Sequence, residues 1–390
     1  MLTKRILLGI AAVAIYFSAY ATFSKTNWSF LHLTKLAKAK QEEIAKTKNR
    51  NAIQVALLLD TSSSMSGLIE QAKSQLWNIL NELARTKRNG EETTLEMALY
   101  EYGNPGKSTQ ANQINQLTPF TTDMDLISEV LFSLGTSGGE EYCGAVIQTA
   151  LQELEWTSDE ALKLIYIAGN EGFDQGPISF YDACKDAKVR GIMINTIFCG
   201  RESEGIKTFW KSGALAGGGD FLNIDHNEAT TYVQTPYDDQ INQLNTRLNN
   251  TYIPFGNKGK QKKENQMIQD SNAGSYSQVN AADRAVFKSS KKYKATDWDL
   301  VDAYKKDKKV IQEVKVVDEK LKELSVEELE AKIQQVTHER TKIQEEIRQL
   351  DKKRRQYKAK KQTNDDSSLQ KNMIQNIQKQ AELKGYKINN

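Results

Sequence analysis

Apolar runs of strand length alternate with stretches of helical spacing between residues 53 and 249, and this alternation narrows the fold more than any other feature. Residues 53–59 form a near-continuous apolar run, the pattern of a strand buried on both faces. Residues 162–168 and 192–198 repeat it, 94–102 alternates and is rich in strand formers, and 221–224 reads as a last short strand. Helical spacing marks 68–84, 124–134, 145–154, 180–189, 206–215 and 240–249. Strands separated by helices imply an α/β fold, a mostly parallel sheet with helices on both faces. Right-handed crossovers make it doubly wound and Rossmann-like. Such sheets bind ligands at the carboxyl ends of their strands. The loop after each strand is therefore where chemistry is expected.

The apolar density stops early. All five prolines of the 390 residues lie before Phe255, and the chain beyond is rich in Lys, Gln, Asn and Glu. The expected organisation is a packed domain over 51–251, a polar linker or wrap over 252–324, a coiled-coil helix over 325–361 and a polar tail over 362–390. Within the linker a short helix is expected near 281–286, and Trp298, Leu300 and Val301 form an apolar cluster suited to docking. Ser325 and Glu328 make a capping box, with Leu324 and Leu329 as its hydrophobic staple. From there Val326, Leu329, Ile333, Val336, Ile343, Ile347, Leu350 and Tyr357 recur at three- and four-residue spacing, a heptad seam. Arg340 and Arg354 interrupt the seam, which weighs against a homodimer. The helix could pair with itself, with another chain or with its own domain.

At the other end, Lys4 and Arg5 precede an apolar run over 6–17, and Ala19-Tyr20-Ala21 follows as a cleavage signal. This layout is that of a secretory signal peptide over 1–21. The alternative is an uncleaved membrane anchor. Either implies export, to the periplasm or beyond, with a lead helix over 22–50. An oxidising compartment permits one disulfide among Cys143, Cys184 and Cys199; the alternative is three small buried core residues. The formal net charge of +3 gives no strong pull toward nucleic acid.

The sharpest chemical signal follows the first buried strand. Leu57-Leu58-Leu59 runs into Asp60-Thr61-Ser62-Ser63-Ser64, and a helix follows. Asp60, Ser62 and Ser64 offer a carboxylate and two hydroxyls at the end of a parallel strand. Hard oxygen donors of this kind suit Mg²⁺, Mn²⁺ or Ca²⁺. The segment resembles the metal-ion-dependent adhesion site (MIDAS) of von Willebrand factor type A domains. The resemblance implies a divalent ion whose open position takes an acidic group from a protein partner. It also implies two further loops. One supplies Thr or Asp after a glycine pair, and Thr136-Ser137-Gly138-Gly139-Glu140-Glu141 corresponds, with Glu140 the favoured ligand and Thr136 and Glu141 the others. The second supplies Asp after the middle strand. Here Asn170 stands at that position, followed by Glu171, so the family's charge is missing. A bacterial group of exported proteins with this domain and a helical extension is also similar, on Ala168-Gly169-Asn170-Glu171 and Trp298-Asp299-Leu300-Val301-Asp302-Ala303.

Other signals carry less. Gly106-Lys107-Ser108 lacks the glycine that a phosphate loop needs five residues earlier, where Glu101 stands. His32, His226 and His338 lie on separate elements and support neither a zinc site nor a catalytic triad. Gly217-Gly218-Gly219 reads as a tight reversal. Of the basic clusters at 258–263, 288–294 and 352–361, the last reads as the solvated face of a helix. No activated nucleophile or acid–base pair stands out, so the expectation is a non-enzymatic, exported adhesion module. The alternative is a metal-free scaffold of the cell envelope acting through its C-terminal coiled coil.

Overall fold

A central strand with parallel neighbours on both sides organises the molecule. The computed structural model describes residues 51–105, 113–158, 160–224, 232–313, 319–361 and 369–388. The strands are β1 (Ala52–Asp60), β2 (Thr86–Arg88), β3 (Glu91–Glu92), β4 (Thr94–Tyr102), β5 (Asn115–Thr121), β6 (Leu162–Gly169), β7 (Ile192–Cys199), β8 (Gly218–Ile224) and β9 (Tyr386–Ile388). The main sheet has the order β5-β4-β1-β6-β7-β8. Only β5 runs antiparallel to its neighbour. The chain adds β4 on one side of β1 and β6 on the other. The order thus reverses at β1, and a crevice opens at its carboxyl end. The proposed doubly wound, mostly parallel α/β fold is the observed one.

Strand periodicity splits the core in two. Ile53, Val55 and Leu59 of β1 enter one cluster, with Leu95, Met97, Leu164 and Tyr166. Ala56 and Leu58 enter the other, with Tyr100, Tyr102, Ile165 and Ile167. The second cluster is closed by α3 (Cys143–Glu153), α4 (Phe180–Val189) and α6 (Trp210–Ala216), of which α6 follows the short α5 (Glu202–Lys207). The first is closed by α1 (Ser66–Ala84), α2 (Met124–Ser133) and α7 (Asp238–Asn249), and by helices from the C-terminal third. Local sequence starts several of these. Asp123 caps α2 by accepting from the amides of Asp125 and Leu126, both at 3.1 Å. The Ser179 hydroxyl caps α4 by accepting from the Asp182 amide at 3.3 Å.

The C-terminal third departs most from expectation. Residues 252–324, expected as a polar linker or wrap with a short helix near 281–286, hold α8 (Gly256–Tyr276) and α9 (Gln278–Ser289), and α9 spans that short helix. Phe287 of α9 is fully buried and packs against Trp77 of α1, ring centroids 5.7 Å apart. The small α10 (Leu300–Lys306) does dock, carrying Leu300 and Val301 into a third cluster with Ile253. Two short helices, α11 (Val310–Glu313) and α12 (Glu319–Lys322), lead to α13 (Val326–Lys361).

Helix α13 begins with the expected capping box. The Ser325 amide donates to Glu328 Oε2 at 2.8 Å, and the Glu328 amide donates to the Ser325 hydroxyl at 3.2 Å. Its heptad seam faces its own chain. Leu329, Ile333 and Val336 complete the third cluster, and Ile343 and Ile347 enter the first. The two arginines that interrupt the seam are buried anchors. Arg340 bonds Asp299, Asp302 and Thr251. Arg354 bonds Asp238, Asp283 and the Val279 carbonyl. Beyond it, the expected polar tail contains α14 (Leu369–Leu383), whose Met373, Ile377 and Ala381 enter the first cluster. Strand β9 then pairs with β2 in a small sheet of order β3-β2-β9. The described residues all fall in one unit spanning Asn51–Asn390. The signal peptide and lead helix read for 1–50, the 106–108 loop, and His32 and His226 lie outside the described residues. His338 is exposed on α13. Among the described residues, no helix is long and apolar enough to cross a membrane.

Candidate metal centre

Asp60 is the last residue of β1 and is fully buried. Its Oδ1 accepts the Ser62 backbone N–H at 2.7 Å, so the turn after the strand closes on the carboxylate. The Ser62 and Ser64 hydroxyls stand 3.2 Å apart. The Ser64 hydroxyl in turn donates to Asn170 Oδ1 at 3.2 Å, joining the loop after β1 to the loop after β6. Four sequence-predicted residues, Asp60, Ser62, Ser64 and Asn170, are thus linked by a chain of short polar contacts.

The glycine-pair loop closes the third side. The Ser137 amide donates to the Thr61 carbonyl at 3.0 Å, one residue after the half-buried Thr136. A Cβ on Gly139 would stand 2.5 Å from the Gly103 carbonyl oxygen, so only glycine permits this loop to lie against the one after β4. The two glutamates that follow part company. Glu140 is exposed, and its amide donates to Gln113 Oε1 at 3.0 Å. Glu141 turns inward and is 6% exposed. A Cβ on Gly103, whose φ is +75°, would sit 2.9 Å from both Asp60 Oδ1 and Glu141 Cγ. The two acidic side chains therefore flank one point. The side chain of Ser62 interacts with both. Glu171 is exposed, while its carbonyl accepts the Trp210 indole N–H at 2.7 Å.

Sequence reasoning did not find the residues that wall this pocket. A Cβ on Gly169 would stand 2.8 Å from the Tyr102 hydroxyl, 3.0 Å from the Trp210 ring and 3.2 Å from Asp60 Oδ2. The buried Tyr102 hydroxyl donates to the Ala168 carbonyl at 2.9 Å. Glu101 is buried as well, but neutral donors satisfy it: Asn115 at 3.1 Å and Thr61 at 3.4 Å. Alternation along β4 marks Tyr102 as inward-facing, but nothing in the sequence tells which ligand its hydroxyl would adjoin.

Burial sets the electrostatics. It pushes the Asp60 carboxyl up to about 7, against the Ser62 hydrogen bonds, and the Glu171 charge adds to the rise. Burial lifts Glu141 to about 8, and the Asp60 charge reinforces it. Among the described residues, Asp60 Oδ2 and Glu141 Oε2 are buried without a hydrogen-bond partner. Unpaired buried carboxylate oxygens are costly and demand a proton or a cation. Together with the Ser62 and Ser64 hydroxyls and the Asn170 amide oxygen, they make a set of hard donors that fits a hard divalent ion. Among the described residues there is no group of three or more His, Cys, Asp or Glu able to hold a metal, so any ion here would rely on hydroxyl and amide oxygens too. Cys143, Cys184 and Cys199 are free and buried, and no disulfide joins them. Burial pushes their thiols up, away from the reactive thiolate.

No family model and no curated protein matches this sequence. Among solved structures the chain is similar to von Willebrand factor type A domain proteins. One is proximal thread matrix protein 1 from the mussel byssus, with 13% identity and a TM-score of 0.35 over 45% of this chain and 43% of that one. A further structure of it, with a zinc-occupied MIDAS motif, shows 16% identity and a TM-score of 0.34 over 46% of this chain and 42% of that one. BatB from Bacteroides thetaiotaomicron is 18% identical, TM-score 0.33, over 44% of this chain and 90% of that one. The von Willebrand factor type A protein of Catenulispora acidiphila is 14% identical, TM-score 0.34, over 45% of this chain and 39% of that one. This chain therefore spans less than half the length of the mussel and Catenulispora proteins.

Proposed function

We propose that this chain is an exported protein-binding module that engages its partner through a divalent cation at the carboxyl end of β1. The observation that carries the reading is the fully buried Asp60 with an unpartnered Oδ2, beside the linked hydroxyls of Ser62 and Ser64. Asp60, Ser62, Ser64 and Asn170 would hold the ion. Bound there, it would supply an electrophilic position at the protein surface for an oxygen of the partner, of which an exposed acidic side chain is one source. Mg²⁺ and Mn²⁺ suit these donors best, with Ca²⁺ a larger alternative. The exposed Ser64 and the half-exposed Asn170 give a partner access. Export rests on the N-terminal sequence pattern, which fits either a cleaved signal or an anchor.

The test is retention of a partner by the immobilised chain. A partner held in Mg²⁺, released by a chelator and lost with Asp60→Ala supports the reading, provided the variant unfolds at or above the wild-type temperature. Equal retention in chelator, or by the folded Asp60→Ala variant, contradicts it.

A further inference from the structure

Asn170 brings no charge to the third loop, and its amide oxygen already accepts from the Ser64 hydroxyl at 3.2 Å. The charge appears elsewhere. Glu141, from the glycine-pair loop, is 6% exposed and its Oε2 has no partner among the described residues. Its Cγ and Asp60 Oδ1 each lie 2.9 Å from the Cβ position of Gly103, so glycine there leaves room for both acids. Ser62 interacts with both carboxylates. Glu140, beside Glu141 in the chain, is exposed to solvent.

Resting on the cation reading above, we propose that Glu141 is the second anionic ligand. The Asp60–Glu141 pair then balances a divalent ion within the protein, and the position left to the partner favours a neutral oxygen donor over a carboxylate. One carboxylate leaves a divalent ion with net positive charge, and Coulomb attraction then selects an anionic partner group. Two carboxylates cancel that charge, so what remains is coordination to a carbonyl, hydroxyl or water oxygen. Moving the second carboxylate from the third loop to the second also leaves Asn170 itself an uncharged, half-exposed donor.

The test measures Mn²⁺ affinity by calorimetry on the purified chain, with and without acetate as a probe carboxylate. Glu141→Gln is expected to weaken Mn²⁺ by more than about 100-fold, beyond the ~10–100-fold that loss of a supporting group outside the coordination shell costs. Glu140→Gln should leave affinity unchanged. Acetate should not alter Mn²⁺ affinity in the wild type, but should recover part of it in Glu141→Gln, where a charge is missing. Thermal unfolding of each variant in chelator verifies the fold. If Asp60→Asn abolishes binding while Glu141→Gln changes it less than about tenfold, the cation reading stands and the role of Glu141 is overturned. If acetate tightens Mn²⁺ in the wild type as much as in Glu141→Gln, the neutral-donor preference is overturned. If the wild type takes up no Mn²⁺ with or without acetate, both this inference and the reading beneath it fail.

Discussion

The molecule treats buried carboxylates in two opposite ways. Where the C-terminal helices meet the domain, each is matched: Asp125 by Arg284, Asp238 and Asp283 by Arg354, Asp299 by Arg340, and Asp351 by Arg355. At the carboxyl ends of β1 and β4, Asp60, Glu101 and Glu141 are just as deep, and among the described residues no cation of the protein faces them. The first arrangement holds helices in place. The second stores negative charge that a folded chain tolerates only with neutral donors, protons or an ion. The difference separates architecture from candidate site without reference to any relative.

Breaking the matched side should cost most. Arg340 is 4% exposed and spans Asp299, Asp302 and Thr251. Arg340→Ala leaves Asp299 buried and unpaired, and urea unfolding should show a loss of ~3–5 kcal/mol. The pair Arg340→Met with Asp299→Asn should lose much less, since the stranded charge is gone. Ile377 of α14, 1% exposed, tests whether the C-terminal segment is part of the core. Ile377→Ala should cost ~2–5 kcal/mol, whereas a solvated tail would give no change in the same unfolding curve.

The unmatched side should respond with the opposite sign. In chelator near pH 8, Asp60→Asn removes a buried charge while keeping an oxygen for the Ser62 amide. It should raise stability by ~1–3 kcal/mol. Asp299→Asn under the same conditions should lower it, and a shared sign would erase the distinction between the two regions.

The pH dependence sharpens the contrast further. The carboxyls of Asp60 and Glu141 are raised, to about 7 and about 8. The folded state therefore holds protons the unfolded chain releases. Their contribution is fully present below the ordinary carboxylate range and is lost as pH rises through 7 and 8, with a slope of up to ~1.4 kcal/mol per pH unit for each group. Saturating Mg²⁺ should flatten this decline. Asp270 and Asp283 are shifted the other way: Lys288 and Arg284 hold down the first, and Arg354 the second, against their burial. Their contribution is present above the ordinary carboxylate range and is lost as pH falls through it. Denaturant unfolding from pH 3 to 9 in chelator should show both limbs; no decline as pH rises from the ordinary carboxylate range toward about 7 and about 8 would contradict the unmatched reading.

What the sequence made legible follows from where burial is periodic. The apolar runs of β1, β6 and β7 announced themselves, and so did the loop after β1. Edge strand β5, Asn-Gln-Leu-Thr-Pro-Phe-Thr, did not, because an edge tolerates Pro119 and polar residues that a central strand excludes. Helix α8 buries Gly259, Gln266, Gln269 and Ala273, small and polar residues that leave no hydrophobic period. Gln266 is held by the Tyr293 hydroxyl at 2.9 Å and Gln269 by the Ser128 hydroxyl at 2.7 Å. Arg340 and Arg354 looked like faults in a seam because the sequence shows their charge but not the aspartates that meet them. Glu140 was favoured over Glu141, yet Glu141 turns inward while Glu140 is exposed, and the sequence hides this for a different reason. They sit in a segment without regular structure, where side-chain direction follows from contacts such as that between Gly139 and Gly103, and no repeat in the sequence encodes it.

The central claim is that the unmatched charge at the end of β1 is there for a divalent ion. Calorimetric titration of the purified chain with Mg²⁺ and with Mn²⁺, beside Asp60→Asn, tests it directly. The account predicts saturable one-site binding to the wild type that disappears in the variant, while both proteins unfold cooperatively in chelator. Equal binding to both proteins, or none to the wild type at any pH between 6 and 8.5, would contradict it.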